Sequence, residues 1–136
     1  MRSIIPGFML LAACSQSQEP ATPIPTGTFA AEGRDRLCIA GEAGNYRAGL
    51  VIFGSGNVNC SASGRIAIEK GQIALVPRGE GSCRISLSLE GDTVRIAEVP
   101  AACSYYCGPR ASMAGKSFSQ VGASEAVADL AGDPLC

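Results

Sequence analysis

Short runs of alternating apolar and polar residues, broken by glycine-rich segments, occupy most of the chain after residue 34. The clearest is 83–89, where Cys83, Ile85, Leu87 and Leu89 alternate with Arg84, Ser86 and Ser88. A period of two places one set on one face of a pleated strand. Residues 36–40 and 47–53 form two further runs, separated by the Gly/Asn-rich segment 41–45. Residues 64–69 carry Ile66 and Ile68 on one face, and Lys70-Gly71 predicts a tight turn into 72–77. Gly91-Asp92 predicts another turn, leading into 93–98 with Val94 and Ile96 inward. Gly54-Ser55-Gly56-Asn57 is a turn cluster. About five to seven short strands joined by such turns predict an all-β fold, an antiparallel meander closed into a small barrel or a sandwich. Strands alternating with helices, the mark of a doubly wound sheet, are missing from this pattern.

One segment breaks the period. Residues 100–109, Pro-Ala-Ala-Cys-Ser-Tyr-Tyr-Cys-Gly-Pro, predict one short helix near 100–107. Pro100 suits a first helical position, Gly108 a left-handed cap, and Pro109 stops continuation.

The first 33 residues follow other rules. Arg2 precedes an apolar run at 4–11, too short to span a membrane but fitting a signal peptide. The run ends in Leu11-Ala12-Ala13-Cys14, which resembles the lipobox of bacterial lipoprotein signals. That resemblance implies cleavage before Cys14 and acylation of its thiol and new amine, with two or more chains giving a stable anchor. Ser15, a residue other than Asp, points by the same resemblance to the outer membrane, facing the periplasm. Residues 15–30 are polar and Pro-rich, a tether able to reach roughly 50 Å at ~3.1 Å per residue. The expected organisation is therefore 1–13 signal peptide, 14–33 lipidated N-terminus and tether, and 34–136 folded domain.

Assigning Cys14 to lipid leaves six of the seven cysteines, an even number that predicts three disulfides in an exported domain. With no His and no Cys-x-x-Cys pair, a zinc site is not expected. A hairpin folded about Lys70-Gly71 sets residue 60 opposite residue 81, within reach of Cys83, so Cys60–Cys83 is the expected local bridge. Cys103 and Cys107 sit four apart on the predicted helix, poorly oriented for each other. Each is expected to grip Cys38 or Cys136. Geometry leaves that choice open; loop length favours Cys107–Cys136, leaving Cys38–Cys103.

Composition narrows the chemistry. The net charge is −1 with both signs scattered, so neither a nucleic-acid stripe nor a polybasic membrane patch is indicated. Ala114-Gly115-Lys116-Ser117 lacks the upstream glycine spacing of a phosphate-binding loop, and no nucleotide or other cofactor is expected. A turn followed by a strand containing Phe118 accounts for it better. Without His, a Ser or Cys nucleophile has no ordinary base; a Ser-Lys pair using Lys70 or Lys116 is the remaining route to a small hydrolase. Glu69, Glu80, Glu90 and Asp92 fall at predicted strand ends and turns, where solvated charge is usual.

Two groups of residues stand out for binding. Tyr105-Tyr106 is an aromatic doublet between two cysteines, and tyrosines are enriched at recognition hot spots. Ser61-Ala62-Ser63-Gly64 followed by Lys70-Gly71 resembles the serine loop and lysine hairpin of membrane-bound inhibitors of C-type lysozyme. That likeness implies that Ser63 and Lys70 are the pair inserted into a lysozyme's active cleft, with Ser61 a further binding candidate in the same loop. The chain departs from that pattern in having Arg65-Ile66 after the serines and no Trp. The segment 103–136 is similar to small uncharacterised alphaproteobacterial envelope proteins, a resemblance that implies no function. The expectation is an envelope lipoprotein with a non-catalytic binding or structural role, its partners a membrane and a protein.

Overall fold

Eight strands follow one another around a closed barrel in the computed structural model, which describes residues 24–79, 81–122 and 126–136. They are β1 (Gly27–Ala30), β2 (Arg36–Glu42), β3 (Asn45–Phe53), β4 (Asn59–Glu69), β5 (Gln72–Pro77), β6 (Ile85–Glu90), β7 (Thr93–Glu98) and β8 (Ser117–Val121). Each pairs antiparallel with the next, and β8 returns to pair with β1. Full closure leaves no edge strand to template aggregation.

The alternation in the sequence becomes the inside and outside of the barrel. Leu37 and Ile39, Ala48, Leu50 and Ile52, Ile85 and Leu87, and Val94 and Ile96 point inward and are buried. Phe29 and Phe118 are fully buried and supply the bulk that a chain this poor in aromatics otherwise lacks. The interior is thus filled by side chains. At Gly64, on the inward phase of β4, a Cβ would overlap the Val76 carbonyl of β5. The strand pair can close there only without a side chain.

The two ends of the barrel differ. Three two-residue turns, Ala43-Gly44, Lys70-Gly71 and Gly91-Asp92, close one end, where the chain also enters β1. The other end carries four longer loops, 31–35, 54–58, 78–84 and 99–116. The last of these contains a 3₁₀ helix at Ala101–Tyr106, which forms the cap of that end.

Several expectations are corrected. The strands number eight because the 14–33 segment, read as tether, contains β1, and Ile24 ahead of it is already buried. Only Phe29 marks this four-residue strand by its bulk, and the prolines before it hid the signal. Pro100 is an extended cap residue outside the helix. Gly108 is not left-handed; Arg110 is, with φ of 66°.

The bridges are Cys38–Cys136, Cys60–Cys107 and Cys83–Cys103, so all three expected pairings are replaced. Cys60–Cys83 fails because β4 and β5 stop pairing at Gly64↔Pro77, and the cap helix lies between the two cysteines. Each bonds to the helix instead. Cys38–Cys103 fails on parity: Cys38 lies between inward Leu37 and Ile39 and so faces outward, away from the cap. It meets Cys136 on the outer wall, which leaves no partner there for Cys107.

Candidate binding surface at the capped end

The cap is built by cross-linking one loop to two others. Cys103 is fully buried and bonds Cys83 of the 78–84 loop. Cys107, half-buried, bonds Cys60 at the start of β4 and also forms an isolated antiparallel bridge with it. The Gly108 N–H then donates to the Asn59 carbonyl at 2.9 Å. A Cβ at Gly108 would stand 3.0 Å from Val58 Cγ1, so this close approach favours glycine. Three residues per turn suit so short a helix, and Cys103 is its only buried residue.

Its remaining face is turned to solvent. Tyr105 is 88% exposed, the most exposed of the large apolar side chains among the described residues. Its ring packs edge-on against Tyr106 with centroids 5.3 Å apart. Tyr106 is half-buried and its hydroxyl donates to the Arg78 carbonyl at 3.3 Å. The two tyrosines therefore divide the work: Tyr106 fastens the helix to the 78–84 loop, and Tyr105 projects.

Beside the helix, segment 108–114 folds back to leave an open cleft of about 590 Å³. Val99, Pro100, Ala101, Ala111 and Met113 line it, with Arg110 the only charged lining residue. A second cleft, of about 420 Å³, lies at the seam where β5 and β6 share only three paired positions. Gln72, Ser86, Ser88 and Glu98 line it, with no aromatic group.

The other loops brace the cap. Asp35 is buried; its Oδ1 accepts the Phe53 N–H at 2.8 Å and its Oδ2 lies 3.7 Å from Lys116 Nζ. Arg34 stacks 3.9 Å over the Phe53 ring and donates to the Gly56 carbonyl at 2.8 Å. One acid thus joins loop 31–35 to β3 and to the end of loop 99–116. Lys116 is engaged in that contact, and Gly115, with φ of 74°, makes the expected turn into the strand holding Phe118.

The remaining candidates are dispersed. Cys14 and the lipobox lie outside the described residues, as does Glu80. Ser61 and Ser63 are half-buried in the middle of β4, opposite Val51 and Gly49, in a strand and not a loop. Lys70 sits in the turn at the far end of that strand, ~23 Å from Ser63 at ~3.3 Å per residue. The structure does not bring the serines and the lysine into one patch. Glu69 and Glu90 end their strands, and Glu69 pairs with Arg84 at 3.3 Å on the outer wall. Among the described residues no cluster of His, Cys, Asp or Glu is placed to hold a metal ion, and no helix is long and apolar enough to cross a membrane.

Sequence reasoning missed Arg110 and the role of 108–114. Pro109 was legible as a stop, but nothing local signals that the next residue turns left-handed.

These features define a closed up-and-down barrel with a doubly cross-linked cap. No protein-family model, curated protein or solved structure matches the chain.

Proposed function

We propose that this chain is a non-catalytic binding module of the bacterial envelope, anchored by lipid at Cys14, whose recognition surface is the cap around Tyr105. The observation that carries this reading is the 88% exposure of Tyr105 on a helix cross-linked to two other parts of the barrel. An exposed ring ordinarily loses conformational freedom on binding, and a rigid support lowers that cost. Chain direction supports the same reading. β1 begins at the turn end, so an anchor at Cys14 would join the barrel on the side opposite the cap. Three disulfides suit an oxidising, extracytoplasmic setting.

The test has two parts. Cys14→Ser should move the protein from the outer-membrane fraction to the soluble periplasm. The Cys14→Ser chain, used as bait on envelope extract, should retain a protein that the same bait carrying Tyr105→Ala does not retain. Equal retention by both baits overturns the cap as the surface.

Inhibition of a C-type lysozyme is a second reading, favoured by one observation. Of Ser61, Ser63 and Lys70, the lysine alone is exposed, at a hairpin tip that projects from the turn end. Inhibition by the intact chain, lost in Lys70→Asn, supports it; no inhibition at micromolar protein removes it.

A further inference from the structure

The cap cleft has a chemistry of its own. Its walls are small and apolar, Met113 lies at its base with 1% exposure, and Arg110 contributes one positive charge with no acid among the lining residues. Arg110 also holds its backbone at φ of 66°, where glycine or asparagine is the comfortable choice. The only other non-glycine residue of this kind among the described residues is Lys70, and there a two-residue hairpin turn demands it. Arg110 takes it at the third position of a β-turn, where the Ala111 N–H donates to the Gly108 carbonyl at 3.1 Å. Glycine would meet the demand of either turn with less strain, and of the two cations only Arg110 borders a cleft, one with no acid in its lining.

Charge along the barrel axis favours the same kind of ligand. The four loops of the capped end, with their flanking strand ends, hold Arg34, Arg36, Arg78, Arg110 and Lys116 against Glu32, Asp35 and Glu98, leaving aside Arg84, which pairs with Glu69 on the outer wall. The three turns opposite, with their flanking strand ends, hold Glu42, Glu90 and Asp92 against Lys70, with Glu69 taken up by Arg84. A negatively charged group is drawn to the cap and repelled from the other end.

We propose that the cleft takes an extended peptide segment of a partner protein in which an apolar side chain lies beside a carboxylate. The apolar group fills the space between Pro100 and Met113, the carboxylate pairs with the Arg110 guanidinium, and the peptide runs on past Ser104 to the Tyr105 ring, which stands outside the cleft lining. This rests on the cap being the recognition surface and adds the identity of what it recognises. A glycan offers a cleft of about 590 Å³ at most single methyl groups, and a small free carboxylate would leave it unfilled.

The experiment pans a phage-displayed random heptapeptide library against the full chain exported with Cys14→Ser. The same protein carrying Tyr105→Ala serves as the counter-selection. An enriched peptide and its copy with Glu→Gln or Asp→Asn are then titrated against the parent and against Arg110→Gly. Glycine is at home at this φ, so the variant keeps its fold, checked by an unchanged or higher Tm. Expected are enriched peptides with an acid next to an apolar residue, and tenfold or greater weakening by either Arg110→Gly or the amide peptide. Combining the two should weaken binding no further. Peptides that need Tyr105 but ignore both the acid and Arg110 overturn this inference and leave the cap reading standing. Failure to enrich any peptide against the Tyr105→Ala control overturns the inference. So does displacement of a bound peptide by lipopolysaccharide vesicles at equal affinity for parent and Arg110→Gly. Peptides that bind regardless of Tyr105 overturn the cap reading as well.

Discussion

Leu135 crosses the outer wall of the barrel directly over Gly49, so closely that a Cβ at position 49 would overlap the Leu135 carbonyl. Around this crossing, Cys38, Val51, Val127 and Leu135 form a small apolar cluster separate from the main core. The Leu135 N–H donates to the Val127 carbonyl at 2.9 Å, and Cys136 bonds Cys38 just beyond. Segment 126–136 is therefore a strap held across β2 and β3.

Gly49→Ala tests that contact. Backbone on both sides leaves the added methyl little room to relax, so overpacking of about 1–3 kcal/mol is expected. Urea unfolding should show a lower midpoint with an unchanged slope. Limited proteolysis of the folded variant should cut first within 126–136.

The disulfide pattern gives a second prediction. Non-reducing peptide mapping should recover Cys38–Cys136, Cys60–Cys107 and Cys83–Cys103 and no other pair. Their sequence separations of 98, 47 and 20 rank the entropic contributions. Chain-entropy estimates are about 4.7, 4.0 and 3.3 kcal/mol respectively. Replacing both members of a pair by Ala should lower stability in that order. The cap should loosen only for the second and third, seen as faster amide exchange at residues 101–107.

Why the barrel was legible and its bridges were not follows from the same residues. Period-two alternation is a local signal, and residues 85–89 and 93–98 show it plainly. β1 has four residues and one aromatic, too few to show a period against a Pro-rich background. Disulfide partners depend on which wall and which end each cysteine occupies. Part of that was written in the chain: Cys38 between Leu37 and Ile39 must face outward if they face inward. The pairing of Cys60 and Cys83 with the cap helix was not, because it depends on how loop 99–116 folds back across the barrel end. The exposure of Tyr105 against the anchoring of Tyr106 depends on that same fold-back.

Asp35 ties the capped end together, and its two oxygens predict different outcomes. Asp35→Ala leaves the Phe53 N–H without its acceptor and should cost about 1–3 kcal/mol. Asp35→Asn keeps an acceptor and should recover most of that loss. Lys116→Met removes a partner that is partly exposed and 3.7 Å away, for which ~0–1 kcal/mol is the expected range. Thermal melts of the three variants check the order.

The tyrosines should separate in the same way. Tyr105→Ala removes a ring that is 88% exposed, so stability should change by no more than about 0.5 kcal/mol. Tyr106→Phe removes a hydrogen bond to the Arg78 carbonyl and should cost about 0.5–1.5 kcal/mol. Equilibrium denaturation of each variant decides the matter. A large loss from Tyr105→Ala would make that ring part of the fold and remove it from the recognition surface.

Lys70 and Gly71 form a two-residue turn between Glu69 and Gln72, with φ of 51° and 74°. Positive φ at both positions is the turn that twists in step with antiparallel strands, and Asn-Gly is its preferred sequence. Lysine tolerates the first position poorly because its Cβ crowds the following carbonyl. Lys70→Asn should therefore stabilise the barrel by roughly 0.5–1 kcal/mol, a magnitude usual for such turn and backbone replacements. A rise in the urea midpoint with unchanged slope is the expected readout. A fall would show that the lysine side chain itself contributes to the fold.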